Sequence, residues 1–299
     1  MSGFHHEAVF YAGDEEYLAG TLPDVRETLA GDGAVLVAVA DAKAKLLRGA
    51  LGADADRVLF TDMEALGRNP ACIIPAWSEF LRDAAPEPVL GIGEPVWPGR
   101  SDAELVECSR HESLLNLAFD GGRDWRLLCP YDAAALEPDV IDEASRNHPH
   151  VRWNGTSRSS AEYGGHAAHA WDDGLPAPEH LAAELPFTQS ELTLVREFTT
   201  ERARRAGVDP ARLPDLVLAV NELATNSLRH GGGHGVLRIW EHDGTFCCEV
   251  RDGGRIEDPL AGRVRPDHLN GSGRGLWIVN HLCDLVQVRP GAVRLHVGI

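Results

Sequence analysis

Residues 34–40 (AVLVAVA) form an unbroken apolar run between Gly33 and Asp41. The run is far shorter than the roughly 20 residues that cross a bilayer, and it carries no polar alternation. A strand with both faces buried reads this way, and such strands lie inside parallel sheets covered by helices. The neighbouring sequence continues the theme. Helix-compatible stretches at 22–30, 44–51, 73–84 and 101–118 alternate with short strand-like runs at 58–61, 89–92 and 125–130. This alternation predicts an α/β fold with a mostly parallel sheet over the first half of the chain.

The pattern stops at residue 153. Residues 154–186 are rich in Gly, Ser, Ala and Pro, show no sustained period, and read as a linker. The expected division is a domain at 1–153, the linker at 154–186 and a second domain at 187–299, each domain long enough to bury a core. The net charge of −18 is uneven: 13 basic and 27 acidic residues stand up to residue 153, against 15 and 19 beyond it. Phosphate backbones and anionic lipid surfaces repel such a body, which argues against direct nucleic-acid or membrane binding. No basic stretch precedes an apolar core at the N-terminus, and the six cysteines contain no CxxC pair. These features predict a cytoplasmic protein with free thiols.

A nucleotide site in the first half would need a phosphate cradle in the loop after the first strand. Taking residues 34–40 as that strand, the loop reads Asp41-Ala42-Lys43-Ala44-Lys45, without glycine, so no working P-loop is expected. Two groups have metal-ligand chemistry: His5, His6 and Glu7 near the N-terminus, and Cys108, His111 and Glu112 on one face of a helix. The plainer reading, a solvated N-terminus and an ordinary amphipathic helix, is preferred. Residues 109–112 (SRHE) are also similar to phospho-accepting helices but lack the proline and coiled coil that accompany them.

The second half begins with a capping box, Thr188-Gln189-Ser190-Glu191, and a helix to about residue 205. Asp209-Pro210 opens another helix that ends at Gly231-Gly232-Gly233. On it, Val217, Val220, Ala224 and Leu228 predict the buried stripe, bordered by Glu222, Asn226 and His230 at four-residue spacing. Strand-like runs at 236–241 and 246–251 flank the hairpin signal Asp243-Gly244, and the second ends at Asp252-Gly253-Gly254. Residues 255–270 are irregular and read as a mobile lid. Residues 271–276 (GSGRGL) then enter a helix, followed by strands at 285–289 and 293–297. Alternate glycines let successive amides face an anion, and the helix adds its positive end.

The segments at 5–20 (HHEAVFYAGDEEYLAG), 55–67, 91–97 (GIGEPVW), 110–119 (RHESLLNLAF), 127–132 (LLCPYD) and 148–151 (HPHV) resemble the MEDS sensory domain. That resemblance implies a recombinase-like α/β fold with a degenerate phosphate loop and a sensory role. From residue 186 onward the order ELATNSLRHG, Asp252-x-Gly254, short lid, GSGRGL resembles the Bergerat-type ATPases of the GHKL superfamily, an α+β sandwich. Within it the resemblance is to serine kinases that act as anti-sigma factors.

The resemblance implies ATP and Mg2+ as cofactors. Asn226 would ligate Mg2+, Asp252 would accept the adenine amino group, and Gly254 would let the base approach. Gly271, Gly273, Arg274 and Gly275 would hold phosphates, with Arg229, His230 and Leu276 completing the nucleotide site. Glu222 would be the general base toward a serine or threonine hydroxyl. The implied partners are a sigma factor and a STAS-type anti-anti-sigma protein, with a second copy of the chain as a further candidate. Ile256 stands where the usual Asp-x-Gly-x-Gly has its second glycine. An ATP-binding module that sequesters a partner without phosphoryl transfer fits the same residues, whereas a sensor histidine kinase would need a dimerising helix pair that the Gly- and Pro-broken stretch at 154–186 does not supply.

Overall fold

A computed structural model describes residues 3–164, 174–178, 180–181, 183–266 and 273–299. The chain divides into two compact units, 1–169 and 170–299. The first holds a seven-stranded sheet in the order β3-β2-β4-β5-β1-β6-β7. Its strands are β1 (Phe4–Tyr11), β2 (Ala34–Val39), β3 (Val58–Asp62), β4 (Val89–Gly93), β5 (Trp125–Asp132), β6 (His150–Trp153) and β7 (Thr156–Ser159). All neighbours pair parallel except β6 and β7. Parallel strands need crossovers, and the chain supplies α1 (Gly13–Ala30), α2 (Asp41–Leu51), α3 (Met63–Leu66), α4 (Ile73–Asp83), α5 (Asp102–Ala118) and α6 (Pro138–Asn147). The apolar run behaves as its composition requires: Val35, Val37 and Val39 pack with Val9, Leu90, Ile92 and Leu128 in one core.

Two expectations change here. The first strand is β1, not the run at 34–40. Its sequence, FHHEAVFY, looks solvated, yet His6 and Glu7 are fully buried. Arg152 donates to Glu7 at 2.6 Å, and Glu112 stands 3.1 Å from His6. Both partners lie more than 100 residues away, so local patterning could not predict their burial. The loop to be searched for a phosphate cradle is therefore Ala12, which leads directly into α1, rather than residues 41–45. The second change concerns the stretch at 154–186. It contains β7 at the edge of the first sheet and a further strand, β8 (Ala183–Thr188), in the second unit.

The second unit is a five-stranded sheet in the order β11-β12-β10-β9-β8, with every pairing antiparallel. Its other strands are β9 (His234–His242), β10 (Thr245–Arg251), β11 (Leu285–Arg289) and β12 (Ala292–Gly298). Asp243 and Gly244 both have positive φ in the β9–β10 turn, as an Asp-Gly hairpin demands. Three helices complete the layer: α7 (Leu192–Ala206), α8 (Leu213–His230) and α9 (Arg274–Leu282). Helix α8 packs on β9 and β10 between α7 and α9. The core between helices and sheet includes Phe187, Val195, Leu216, Val220, Leu237, Phe246, Val279 and Leu295.

The Thr188 capping box forms, with Thr188 N and Oγ1 both donating to Glu191 Oε2. Helix α8 starts later than expected, because Asp209 Oδ1 accepts from Ala211 N and closes a separate turn. Its buried stripe is also rotated. Leu216, Ala219, Val220, Leu223, Ala224 and Ser227 are buried, while Val217 and Leu228 are only half-buried.

Candidate functional site

The rotated stripe on α8 puts Ser227 inside and leaves Glu222 and Asn226, one turn apart, half-buried at its edge. Opposite them, β10 ends at Asp252. The Ser227 hydroxyl donates to Asp252 Oδ2 at 2.5 Å, and Gly254 N donates to Oδ1 at 2.6 Å. The surrounding backbone is tied down by Asp252 N donating to the Gly291 carbonyl and Gly253 N donating to the Gly231 carbonyl. The carboxylate is thus fixed in place, and each oxygen keeps lone-pair capacity for a further donor. The glycines around it are needed for space. A Cβ on Gly231 would collide with the Asp252 carboxyl, and one on Gly254 would lie 2.9 Å from Oδ1.

Asp252 lines a cavity of about 300 Å3. Leu223, Val250, Ala261, Leu276, Ala292 and Val293 form apolar wall, and Asn226, Ser227, His230, Arg255 and Arg289 supply polar groups. A concave, mainly apolar space with a few directed polar groups is the usual form of a small-molecule site. At one end Gly273, in the left-handed conformation, caps α9, and Gly275 follows in its first turn. A helix N-terminus favours anions there. A Cβ on Gly275 would lie 3.0 Å from both Glu222 Oε2 and Asn226 Nδ2. Glycine therefore lets the α9 backbone come close to the two polar side chains of α8.

Of the site residues expected from sequence, Asn226, His230, Asp252, Gly254, Gly273, Gly275 and Leu276 line this cavity together. Glu222 does not line it but borders Gly275. Arg229 and Arg274 are exposed and are not among the lining residues. Gly271 lies outside the described residues, as do residues 267–270 of the expected lid. The described part of that lid is irregular, and it is pinned where Asn280 Nδ2 donates to the Gly262 carbonyl at 2.9 Å. Sequence reading missed Ser227, Gly231, Arg289 and Gly291. Ser227 follows from the correct helical phase, whereas Arg289 and Gly291 reach the site only through the pairing of β11 with β12.

The geometry fits an adenine nucleotide with Mg2+. Asp252 offers an acceptor in an apolar slot, Asn226 offers a neutral oxygen beside the α9 terminus, and glycines keep Cβ atoms out of both places.

The ligand groups weighed in the first half are divided by the fold. Alternation along β1 sends His5 and Glu7, which lie 3.6 Å apart, toward His150 and Arg152, while His6 faces Glu112. Cys108 instead donates to the Pro95 carbonyl. His111 is 1% exposed, which shields it from any phospho-donor.

Among the described residues, no helix is long and apolar enough to cross a membrane. None of the curated proteins compared matches the chain. Residues 5–149 match the family model of the MEthanogen/methylotroph, DcmR Sensory domain, MEDS. Residues 185–297 match that of the histidine kinase-like ATPase domain. The chain is thus a MEDS sensory domain followed by a histidine-kinase-like ATPase domain.

Proposed function

We propose that the ATPase domain is the kinase of an anti-sigma regulator under control of the MEDS domain. In this reading Asp252 accepts from the adenine amino group, Asn226 ligates Mg2+, and Gly273, Arg274 and Gly275 hold phosphate oxygens. Gly271 belongs to the same set by its place in the glycine run. ATP, when bound, supplies the phosphoryl group. Glu222 accepts the proton of a serine or threonine hydroxyl on a STAS-type anti-anti-sigma protein, and a sigma factor is the second partner. Protein phosphorylation needs chiefly positioning and charge neutralisation, with a base near the incoming hydroxyl.

One observation carries this reading: Glu222 Oε2 and Asn226 Nδ2 both stand where a Cβ on Gly275 would meet them at 3.0 Å, next to the cavity that holds Asp252.

The test uses the full chain with labelled ATP, Mg2+ and an anti-anti-sigma protein from the same genome. Acid-stable label on serine or threonine is expected, and Glu222→Gln should bind ATP yet transfer no label. ATP binding without any transfer would leave the storage module as the function. Acid-labile label on histidine would make the protein a histidine kinase.

A further inference from the structure

We propose that the MEDS domain carries a four-coordinate site for a divalent transition-metal ion of the zinc class, built from His6, Glu112, Cys129 and His148. These residues come from β1, α5, β5 and the residue after α6, and all are at most 1% exposed. One ligand atom from each lies within 4.8 Å of all the others. Four of the separations are known individually. Glu112 Oε2 stands 3.1 Å from His6 Nε2, 3.3 Å from His148 Nε2 and 3.5 Å from Cys129 Sγ, and His6 Nε2 stands 3.3 Å from Cys129 Sγ. A tetrahedron with zinc–nitrogen bonds near 2.05 Å and a zinc–sulfur bond near 2.3 Å has edges of about 3.3–3.6 Å.

The outer contacts decide which atoms face the centre. Asn116 Nδ2 donates to the Asn147 carbonyl at 2.8 Å, so its Oδ1 is the atom 3.0 Å from His6 Nδ1. His6 therefore carries its proton on Nδ1. His148 Nδ1 lies 2.8 Å from the Ala144 carbonyl and carries its proton there too. Both rings thus turn Nε2 toward the Glu112 carboxylate, and as neutral rings they would set a lone pair against its oxygen, a repulsion that a cation between them removes. His148 Nε2 and Glu112 Oε1 have no hydrogen-bond partner although both are buried. Second-neighbour bonds of this kind, from the far ring nitrogen to an oxygen, are how proteins orient metal-ligating histidines.

Metal uptake would release the Cys129 thiol proton to solvent, leaving thiolate, carboxylate and dication with no net charge. Sulfur and imidazole donors select zinc-like ions over Mg2+ or Ca2+. Because the site is closed to solvent, the ion enters during folding or local opening.

The test strips full-length protein of metal in denaturant with a chelator and refolds it under reducing conditions with Co2+, the spectroscopic stand-in for Zn2+. One Co2+ per chain is expected, with a thiolate-to-cobalt charge-transfer band and intense tetrahedral d–d absorption, both bleached by one equivalent of Zn2+. Cys129→Ser should lose the charge-transfer band, and Cys108→Ser should keep the full spectrum. Asn116→Ala should weaken binding about 10- to 100-fold. Wild-type protein with native far-UV dichroism that takes up no Co2+ would overturn the proposal. So would a spectrum without the thiolate band, or an unchanged one in folded Cys129→Ser. If that variant does not fold, wild-type stoichiometry and the charge-transfer band decide.

Discussion

At the scale of the residue, the nucleotide cavity depends on a carboxylate held by two donors and on glycines that leave it room. Asp252→Asn replaces an acceptor oxygen by an amide that repels the Gly254 N–H, the Ser227 hydroxyl or the ligand's own amino group. Its ATP affinity should fall by about 2 kcal/mol, roughly 30-fold, in titration calorimetry. Gly231→Ala tests space rather than charge. Gly231 has an ordinary φ of −100°, so the added methyl strains no backbone and acts only by striking Asp252. It should cost about 1–3 kcal/mol of stability in a melt and weaken ATP binding as well. Asn226 and Asp252 were legible in the sequence because their motifs have fixed spacing along single elements. Ser227 was not, because a phase error on α8 hid that it faces inward.

At the scale of the element, the least legible pieces were the strands that depend on distant partners. Strand β8 carries Pro186 in a stretch rich in loop-forming residues, yet it is the edge strand of its sheet, where a proline is tolerated. Its Phe187 is 1% exposed and packs beneath Gly235, where even a Cβ would clash with the ring. Phe187→Ala should therefore destabilise the ATPase domain by about 3–5 kcal/mol in denaturant unfolding. An ordinary linker would lose nothing from the same change. The polar β7, TSRS, is exposed along its length and ends the first sheet with an edge that offers little to aggregation. By contrast β2 and the β9–β10 hairpin needed no partner to be recognised, since an apolar run and an Asp-Gly turn are local signals.

At the scale of the whole molecule, two buried groups, one in each unit, contribute to stability with opposite dependence on pH. His296 in β12 faces Arg294, His242, Asp284, Cys247 and Gln287, and burial first, then Arg294, lowers it from 6.5 to about 4. The unfolded chain then binds a proton that the folded domain refuses. Stability is complete above 6.5 and falls as pH drops toward 4, by about 3 kcal/mol in all. His296→Gln should remove that part of the slope from ATPase-domain unfolding curves.

Glu94, just past β4, accepts from Tyr11 at 2.5 Å and lies near Lys43, Asp132 and Tyr17. Burial raises it from 4.5 to about 7. Here the folded state keeps a proton that the unfolded chain gives up. Stability is complete below 4.5 and is lost as pH rises toward 7, again by about 3 kcal/mol. Glu94→Gln should remove that part of the slope from MEDS-domain unfolding curves, compared with the wild type.

The sequence by itself determined the two fold classes, the order of most helices and strands, and the residue types around the nucleotide cavity. Each of these follows from interactions within about one turn or one strand: apolar period, capping, hairpin chemistry and glycine spacing. Only the tertiary structure decided that FHHEAVFY is a central strand, that Asp252 is held by Ser227, and that His6 meets Glu112, Cys129 and His148. Burying a histidine or a carboxylate is favourable only when its partners are already in place. Those partners lie 25 to more than 100 residues away, so nothing local could announce them.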